Sequence, residues 1–491
     1  MLFNSYAFVF FLPVVVLGYY LLPQKARGIW LLCTNLYFYM CWNTHYVLLL
    51  AVTVLSSYLA GIVFDRFREK KRIRQIALWV VIAINLGLLF FYKYLDFALV
   101  NLSAIAAKLG LTFQAEKMNL LLPVGISFYT FKAVSYILDV YRGRYACTKN
   151  LIHFANYISF FPAILSGPID RADKFIPQLQ KKHEFDFDQI RRGMLLMLWG
   201  YFLKLVVSDR AAQFAAAVYN NHSEYSGAFA LIATVLYAVQ IYCDFYGYSC
   251  TARGVAQVLG FSIMENFEQP YFATSVAEFW RRWHISLSSW LKDYVYIGLG
   301  GNRCSRLRKY FNVMVTFLVS GLWHGSSWNY IIWGFLHGAY QIFGDLTKSA
   351  RTKVLTWMSV DMNGIVHKNL RRLITGALVT FSWIFFFAKG TKHALQIIHH
   401  MITSFQMWTL FDGSVFEVSL SRPEFGVLMI ALMIVFAVDV LKYRKFNIQG
   451  WIEQQHVVFR WVLYYAVLFA VILFGIYGSG YSASAFVYFQ F

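Results

Sequence analysis

Apolar and polar positions alternate along this chain in blocks rather than residue by residue. Twelve stretches dominated by Leu, Val, Ile, Phe and Ala read as spans, at 5–22, 29–42, 46–64, 75–92, 120–141, 193–208, 228–249, 310–323, 326–345, 374–388, 425–441 and 461–478. Blocks of this length approach the ~20 apolar residues a helix needs to cross a bilayer core. The fold class they predict is all-α, a polytopic integral membrane protein with about 11–12 transmembrane helices. The first block runs on into others with no small-residue cleavage site, so it is expected to stay as an anchor.

The polar segments between blocks supply an orientation. The segment 65–74 holds six Lys or Arg in ten residues. Placing it in the cytoplasm makes 23–28, 142–192, 250–309, 346–373 and 442–460 cytoplasmic by alternation. Those six segments carry 35 of the 44 Lys and Arg, the outer segments carry 7, and Lys132 and Lys204 fall inside spans. That is the bias expected of a correctly counted multi-pass protein, and it predicts both termini outside. One apolar stretch breaks the alternation. Residues 151–169 lie between two basic segments and contain Pro162, Gly167 and Pro168, so they read as a re-entrant hairpin. Irregular backbone at that depth is tolerated only where protein buries it or it lines a cavity. No internal repeat or linker is evident, and 1–491 reads as one membrane domain.

Composition sharpens this picture. Hydrophobic residues make up 59% of the 491, aromatics 19% and charged residues 14%, well under the ~25% charged of soluble domains. A soluble nucleic-acid binder, a disordered chain and a disulfide scaffold are excluded. The net charge of +20 becomes an orientation signal with affinity for anionic lipid headgroups. The six cysteines follow no metal or disulfide spacing and read as free thiols.

Candidate chemistry concentrates in 266–345. Its first part is aromatic yet charged and reads as interfacial helices, with Phe279, Trp280, Trp283 and Trp290 at headgroup depth and Arg281 and Arg282 reaching phosphates. The span 310–323 follows, then Trp323, His324 and Gly325. Fourteen helical residues rise only roughly 21 Å, so His324 is expected at a helix junction inside the membrane, where an ionisable side chain is a functional candidate. Neutral imidazole at pH 7 can take a proton from a hydroxyl that attacks an acyl carbonyl. The bland alternative is a buried histidine that serves packing. His284 is weaker alone, because histidines on amphipathic segments are often solvated. Glu278 and Asp293 could orient it, or could simply pair with Arg282 and Lys292. Asp244, inside an apolar span, is either a cavity group or a structural clamp. His337 reads as packed, and Gly298–Gly301 as a tight turn rather than a dinucleotide loop. His399 and His400 lack carboxylate or thiol partners nearby in sequence, so no metal site is expected.

The run EFWRRWHISLSSWLKDYVYIGLGGNR (278–303), followed by LVSGLWHGSSWNYIIWGFLHG (318–338), resembles the signature of the membrane-bound O-acyltransferase family, nearest its bacterial alginate O-acetylation branch and related to the teichoic acid D-alanyl transfer proteins. PVGISFYTFKAVSYILDVYRG (123–143), FFPAILSGPIDR (160–171), YCDFYGYS (242–249), ENFEQPY (265–271), the N-terminal 2–23 and the terminal YFQF (488–491) are similar too. Tyr246 and Asp170 depart from that branch and are expected to reshape its cavity.

The resemblance implies a ring of tilted helices around a central tunnel, with His324 and His284 as catalytic residues. Arg281, Arg282, Trp323, Asp293, Asp244 and Glu278 are expected as donor-binding or supporting residues. It also implies no tightly bound cofactor. The thioester donor is either acetyl-coenzyme A or an acyl carrier protein's phosphopantetheine arm, and the protein sits in a bacterial plasma membrane. An extracytoplasmic acyltransferase- or esterase-like partner would finish transfer to a polysaccharide or cell-wall polymer. Alternatives are acyl or D-alanyl transfer to teichoic acid, or a non-catalytic transporter or export scaffold. The absence of inverted repeats speaks against a transporter.

Overall fold

A computed structural model describes residues 1–113 and 115–477. The terminal YFQF and the last residue of the 461–478 span lie outside the described residues. Among the described residues every regular element is helical. Each of the twelve apolar stretches contains a helix, and six helices are long and apolar enough to cross a bilayer: Tyr46–Arg66, Lys71–Lys108, Gly227–Val258, Ile365–Phe387, Arg422–Tyr443 and Val457–Phe474. This is a multi-pass, all-α membrane protein. The chain forms two compact units, one of Met1–Met197 with Thr251–Met264, the other of Leu198–Cys250 with the described residues from Glu265 onward.

In the first unit, Tyr46–Arg66 packs on Lys71–Leu89 and Ile126–Tyr141. The predicted span at 75–92 is longer than its apolar run suggests. It continues through a π-turn, Phe90–Tyr94, into Leu95–Lys108. Lys93 ends the apolar run in sequence but not the helix, because it is buried with Nζ donating to Ser127 Oγ at 3.3 Å.

The proline-broken stretch forms two short helices, Leu151–Ser159 and Phe161–Ile164, then irregular chain buried through Asp170. Its polar groups are met inside the protein. Asn35 donates to Asn156 Oδ1 (2.9 Å) and accepts from the Phe161 N–H at the break (2.8 Å), while Asn156 donates to Gly28 O (2.8 Å). Tyr157 donates to Asp170 O, and Asp170 Oδ1 accepts from Met264 N. Burial pushes the Asp170 carboxyl up to about 6, and Lys132 opposes the shift.

In the second unit, two expectations change. The helix reaching His324 is Arg306–His324, 19 residues rather than fourteen, so it rises roughly 28 Å and is not short as a helix. Its extra turn carries Arg306, Arg308 and Lys309, begun by Ser305 Oγ accepting from Arg308 N. Charge hid that turn from a hydropathy reading. From Lys309 to His324 the rise is still only roughly 22 Å. Second, Phe279, Trp280, Trp283 and Trp290 do not form a lipid-facing belt. All four are buried, and Trp283 packs on Phe267, Phe279 and Trp383.

Arg306–His324 and Trp328–Leu346 pack along their lengths. A Cβ on Gly321 would collide with the carbonyl oxygen of Tyr330, and one on Gly334 with that of Phe317. Small residues let helices approach where lipid provides no hydrophobic drive. Gly321→Ala and Gly334→Ala should each cost about 1–3 kcal/mol as overpacking, read as a lowered unfolding midpoint in detergent. Gly376→Ala, where nothing lies within 4 Å of the new methyl, should be neutral or gain up to about 1 kcal/mol.

Candidate active site

The second unit brings the two predicted histidines together. Val276–Arg282 and Ile285–Leu291 are separated by Trp283 and His284, and His284 adopts φ 44°, ψ 54°, a left-handed conformation that few non-glycine residues hold. Asn266 stabilises this break. Its carbonyl accepts from Ile285 N (3.0 Å), its Oδ1 accepts from Ser286 N (3.1 Å), and Glu268 N donates to Arg282 O (2.9 Å). The residues ENFEQPY thus serve to hold the turn that aims His284 inward.

His324 is the last residue of its helix. Its ring centroid lies 6.4 Å from that of His284, and both side chains are buried. Aromatic rings enclose the pair. Trp323 touches both, at 4.9 Å from His324 and 5.6 Å from His284, Phe245 lies 4.6 Å from His284, and Trp333 and Phe386 lie 5.0 and 5.1 Å from His324. Two imidazoles at this spacing can both reach one reacting group, each needing a hydrogen bond of about 2.8 Å.

Beside the pair is a cavity of about 550 Å³. Arg281, Lys292 and Lys309 contribute to its walls, along with the apolar side chains of Trp280, Ile285, Leu291, Val313 and Phe317. Lys309 pairs with Asp345 at 2.9 Å, whereas Arg281 and Lys292 are exposed. Ser320, one turn before His324, also lines it; its hydroxyl is buried and has no hydrogen-bond partner among the described residues. Lys309 and Ser320 were missed in the sequence. Lys309 was hidden by its place at the edge of an apolar run, though Ser320 at i−4 from His324 was a readable signal.

The other predicted residues sit elsewhere. Arg282 donates twice to Glu278 Oε1 (3.1 and 2.9 Å) and to Glu268 O, so these two side chains chiefly hold each other. Burial would raise the Glu278 carboxyl, but Thr274 N and Oγ1 and the Arg282 guanidinium outweigh it and hold the group below the usual range. Asp293 lies half-buried on the π-turn Lys292–Tyr296. Asp244 faces Lys204 Nζ at 2.7 Å, and Lys204 also meets Asp209 at 2.9 Å, which is the clamp arrangement. Gly298–Gly301 forms the tight turn, its Gly301 carbonyl accepting from Asn312 Nδ2. His400 packs against His222, which also meets His393. Among the described residues no group of three or more His, Cys, Asp or Glu could hold a metal ion.

Comparison with known proteins decides the family. The profile of the membrane-bound O-acyltransferase family matches residues 147–374. A Pseudomonas aeruginosa protein described as a probable alginate O-acetylase is 36% identical over 436 residues, covering 88% of this chain and 80% of the relative. The chain belongs to the membrane-bound O-acyltransferase family. A Helicobacter pylori peptidoglycan O-acetyltransferase is 32% identical, covering 82% of this chain and 80% of the relative. A Streptococcus thermophilus teichoic acid D-alanyltransferase is 29% identical over 51% of this chain and 63% of its own length. As a member of the family this protein is an acyltransferase of the O-acetyltransferase type.

The Lys204 clamp gives a stability test. Lys204→Met leaves two buried carboxylates without their shared cation, and breaking such a pair costs about 3–5 kcal/mol. Its unfolding midpoint should fall well below that of Asp244→Asn, which leaves Lys204 paired with Asp209.

Proposed function

We propose that this acyltransferase moves an acetyl group from a cytoplasmic thioester donor to a hydroxyl reached from the outer face of a bacterial inner membrane, with both termini on that outer face. The observation that carries this reading is the pair of buried imidazoles 6.4 Å apart beside a cavity that combines cationic and apolar walls. A phosphopantetheine thioester, from coenzyme A or from an acyl carrier protein, has matching chemistry. Its phosphates suit Arg281 and Lys292, its arm suits Trp280, Ile285, Leu291 and Phe317, and an amide or carbonyl suits the Ser320 hydroxyl.

His324 acts as general base. It takes the hydroxyl proton as that oxygen bonds to the thioester carbonyl carbon; the C–S bond then breaks, and the proton passes to the departing sulfur. His284 orients the donor or relays that proton, and Trp323 keeps the two rings in register. The thioester supplies the driving force, so no metal or nucleotide is needed. The final acceptor is an extracytoplasmic polysaccharide or cell-wall polymer, reached with an acyltransferase- or esterase-like partner. O-acetyl transfer is favoured over D-alanyl transfer because similarity to the O-acetyltransferases extends over more than four-fifths of this chain, against about half for the D-alanyltransferase.

In cells producing His324→Ala at normal levels, mass spectrometry of surface glycans should show O-acetylation reduced by about 10²–10⁴, the usual worth of a positioned base. Unchanged O-acetylation overturns the base assignment. Arg281→Ala with Lys292→Ala should raise KM for the thioester with little change in kcat, the sign of lost ground-state binding, and should weaken the salt dependence of that KM.

A further inference from the structure

The cavity has a fixed inner wall. Trp280 Nε1 donates to His337 Nδ1 at 3.1 Å, His337 Nε2 lies 2.9 Å from Ser382 Oγ, and Ser382 Oγ donates to Val379 O at 2.7 Å. The direction of this chain follows from its donors. The serine proton is committed to the Val379 carbonyl, so the hydroxyl can only accept from His337, and His337 must carry its proton on Nε2. That leaves Nδ1 as the lone pair the indole needs. One tautomer satisfies every group, and His337 and Ser382 are fully buried. The indole orientation is therefore set by residues of Trp328–Leu346 and Ile365–Phe387, not by its own seven-residue helix.

Trp280 lines the cavity and is joined to His324 through one intervening ring. Its ring lies 5.6 Å from Trp333, whose ring lies 5.0 Å from His324. Trp280, Phe317 and Ser320 are among the walls of the cavity, and neither His284 nor His324 is. A thioester carbonyl that reacts at the imidazoles must therefore reach beyond the walls that hold the rest of the donor.

We propose that Trp280, pinned through its N–H by His337 and Ser382, is the acyl-length gauge of this enzyme. It admits a short acyl group beside His324 and turns away longer chains, with His337 as a positioning residue. The inference rests on the thioester reading above. Extra methylenes forced against a wall that cannot shift cost about 1–3 kcal/mol as overpacking, so a few carbons suffice for discrimination.

The test is equilibrium binding to the full-length protein in detergent, in a His324→Ala background that prevents turnover. The probes are radiolabelled acetyl-, butyryl- and octanoyl-coenzyme A, and acyl carrier protein loaded with the same groups, so the two donor sources are read separately. The protein with Trp280 and His337 intact should bind acetyl donors at least about tenfold more tightly than octanoyl donors, about 1.4 kcal/mol. Trp280→Ala should abolish that preference. His337→Leu should weaken it, and His337→Asn should keep it, because the Asn Oδ1 can accept in place of Nδ1. Should Trp280→Ala fail to fold, Trp280→Phe is expected to shift the preference in the same direction by a smaller step. A length profile unchanged by these Trp280 variants, or His337→Leu and His337→Asn behaving alike, overturns the gauge and leaves the thioester reading standing. Failure of both donor series to bind at any length overturns both.

Discussion

The site depends on how closely two helices can approach. Arg306–His324 and Trp328–Leu346 meet at Gly321 and Gly334, each facing the other helix's backbone with no room for a methyl group. That contact is what lets Trp333 lie against the His324 ring and brings His337 to the Trp280 indole. Within a bilayer, helix association comes from packing and interhelical hydrogen bonds, since lipid tails are as apolar as leucine. A glycine contact that removes a side chain's thickness is therefore a direct way to bring two polar-bearing faces into register. The left-handed turn at His284 supplies the second half of the geometry, held by the Asn266 hydrogen bonds rather than by its own helices.

Several of the polar groups buried in the second unit are matched with each other. Lys204 joins Asp209 and Asp244, Tyr242 donates to Asp439, Lys442 donates to Tyr246, and Asn329 donates to the Phe385 and Ala388 carbonyls at the end of Ile365–Phe387. Tyr246 is thus fixed at its hydroxyl and stacked on Tyr242. Such pairs hold helices in one arrangement at the cost of desolvating charge. They tie Phe202–Ser208, Gly227–Val258 and Arg422–Tyr443 into a frame from which Phe245 reaches His284.

Much of this was legible from residue order, and the misses have physical causes. Each of the twelve apolar blocks contains a helix, because burial in lipid demands long uninterrupted runs. The Pro and Gly breaks located the irregular 151–169 segment, because they interrupt a helix. Hydropathy failed where a charge lay inside a helix: at Lys93, hidden by its contact with Ser127, and at Arg306–Lys309, the charged turn that begins the His324 helix. The histidine pair was legible as motif context but not as geometry. Nothing in the spacing of His284 and His324 requires them to meet; Asn266, Gly321 and Gly334 bring that about from three other places in the chain. The roles of Arg282 and Glu278 illustrate the same limit, because a carboxylate at i−4 satisfies an arginine locally before any ligand can.

Aromatic side chains build the walls here for a reason that goes beyond hydrophobicity. An enzyme moving a small group must keep its cavity from collapsing onto the reactive rings and must keep its walls from yielding to larger groups. Leucines and methionines would fill the same volume but could change rotamer as a ligand pressed on them. Trp280, Trp323, Trp333, Trp383 and Phe386 have few side-chain torsions and lock against one another and against the histidines, edge-to-face in most pairs and stacked between Trp333 and Trp383. The indole also brings an N–H that needs an acceptor when buried. At Trp280 that need is met by an imidazole whose own tautomer is fixed by a serine, which turns a packing residue into one with a defined orientation. A preorganised active site needs this kind of support behind the groups that touch the substrate, and at Trp280 it is supplied by His337 and Ser382.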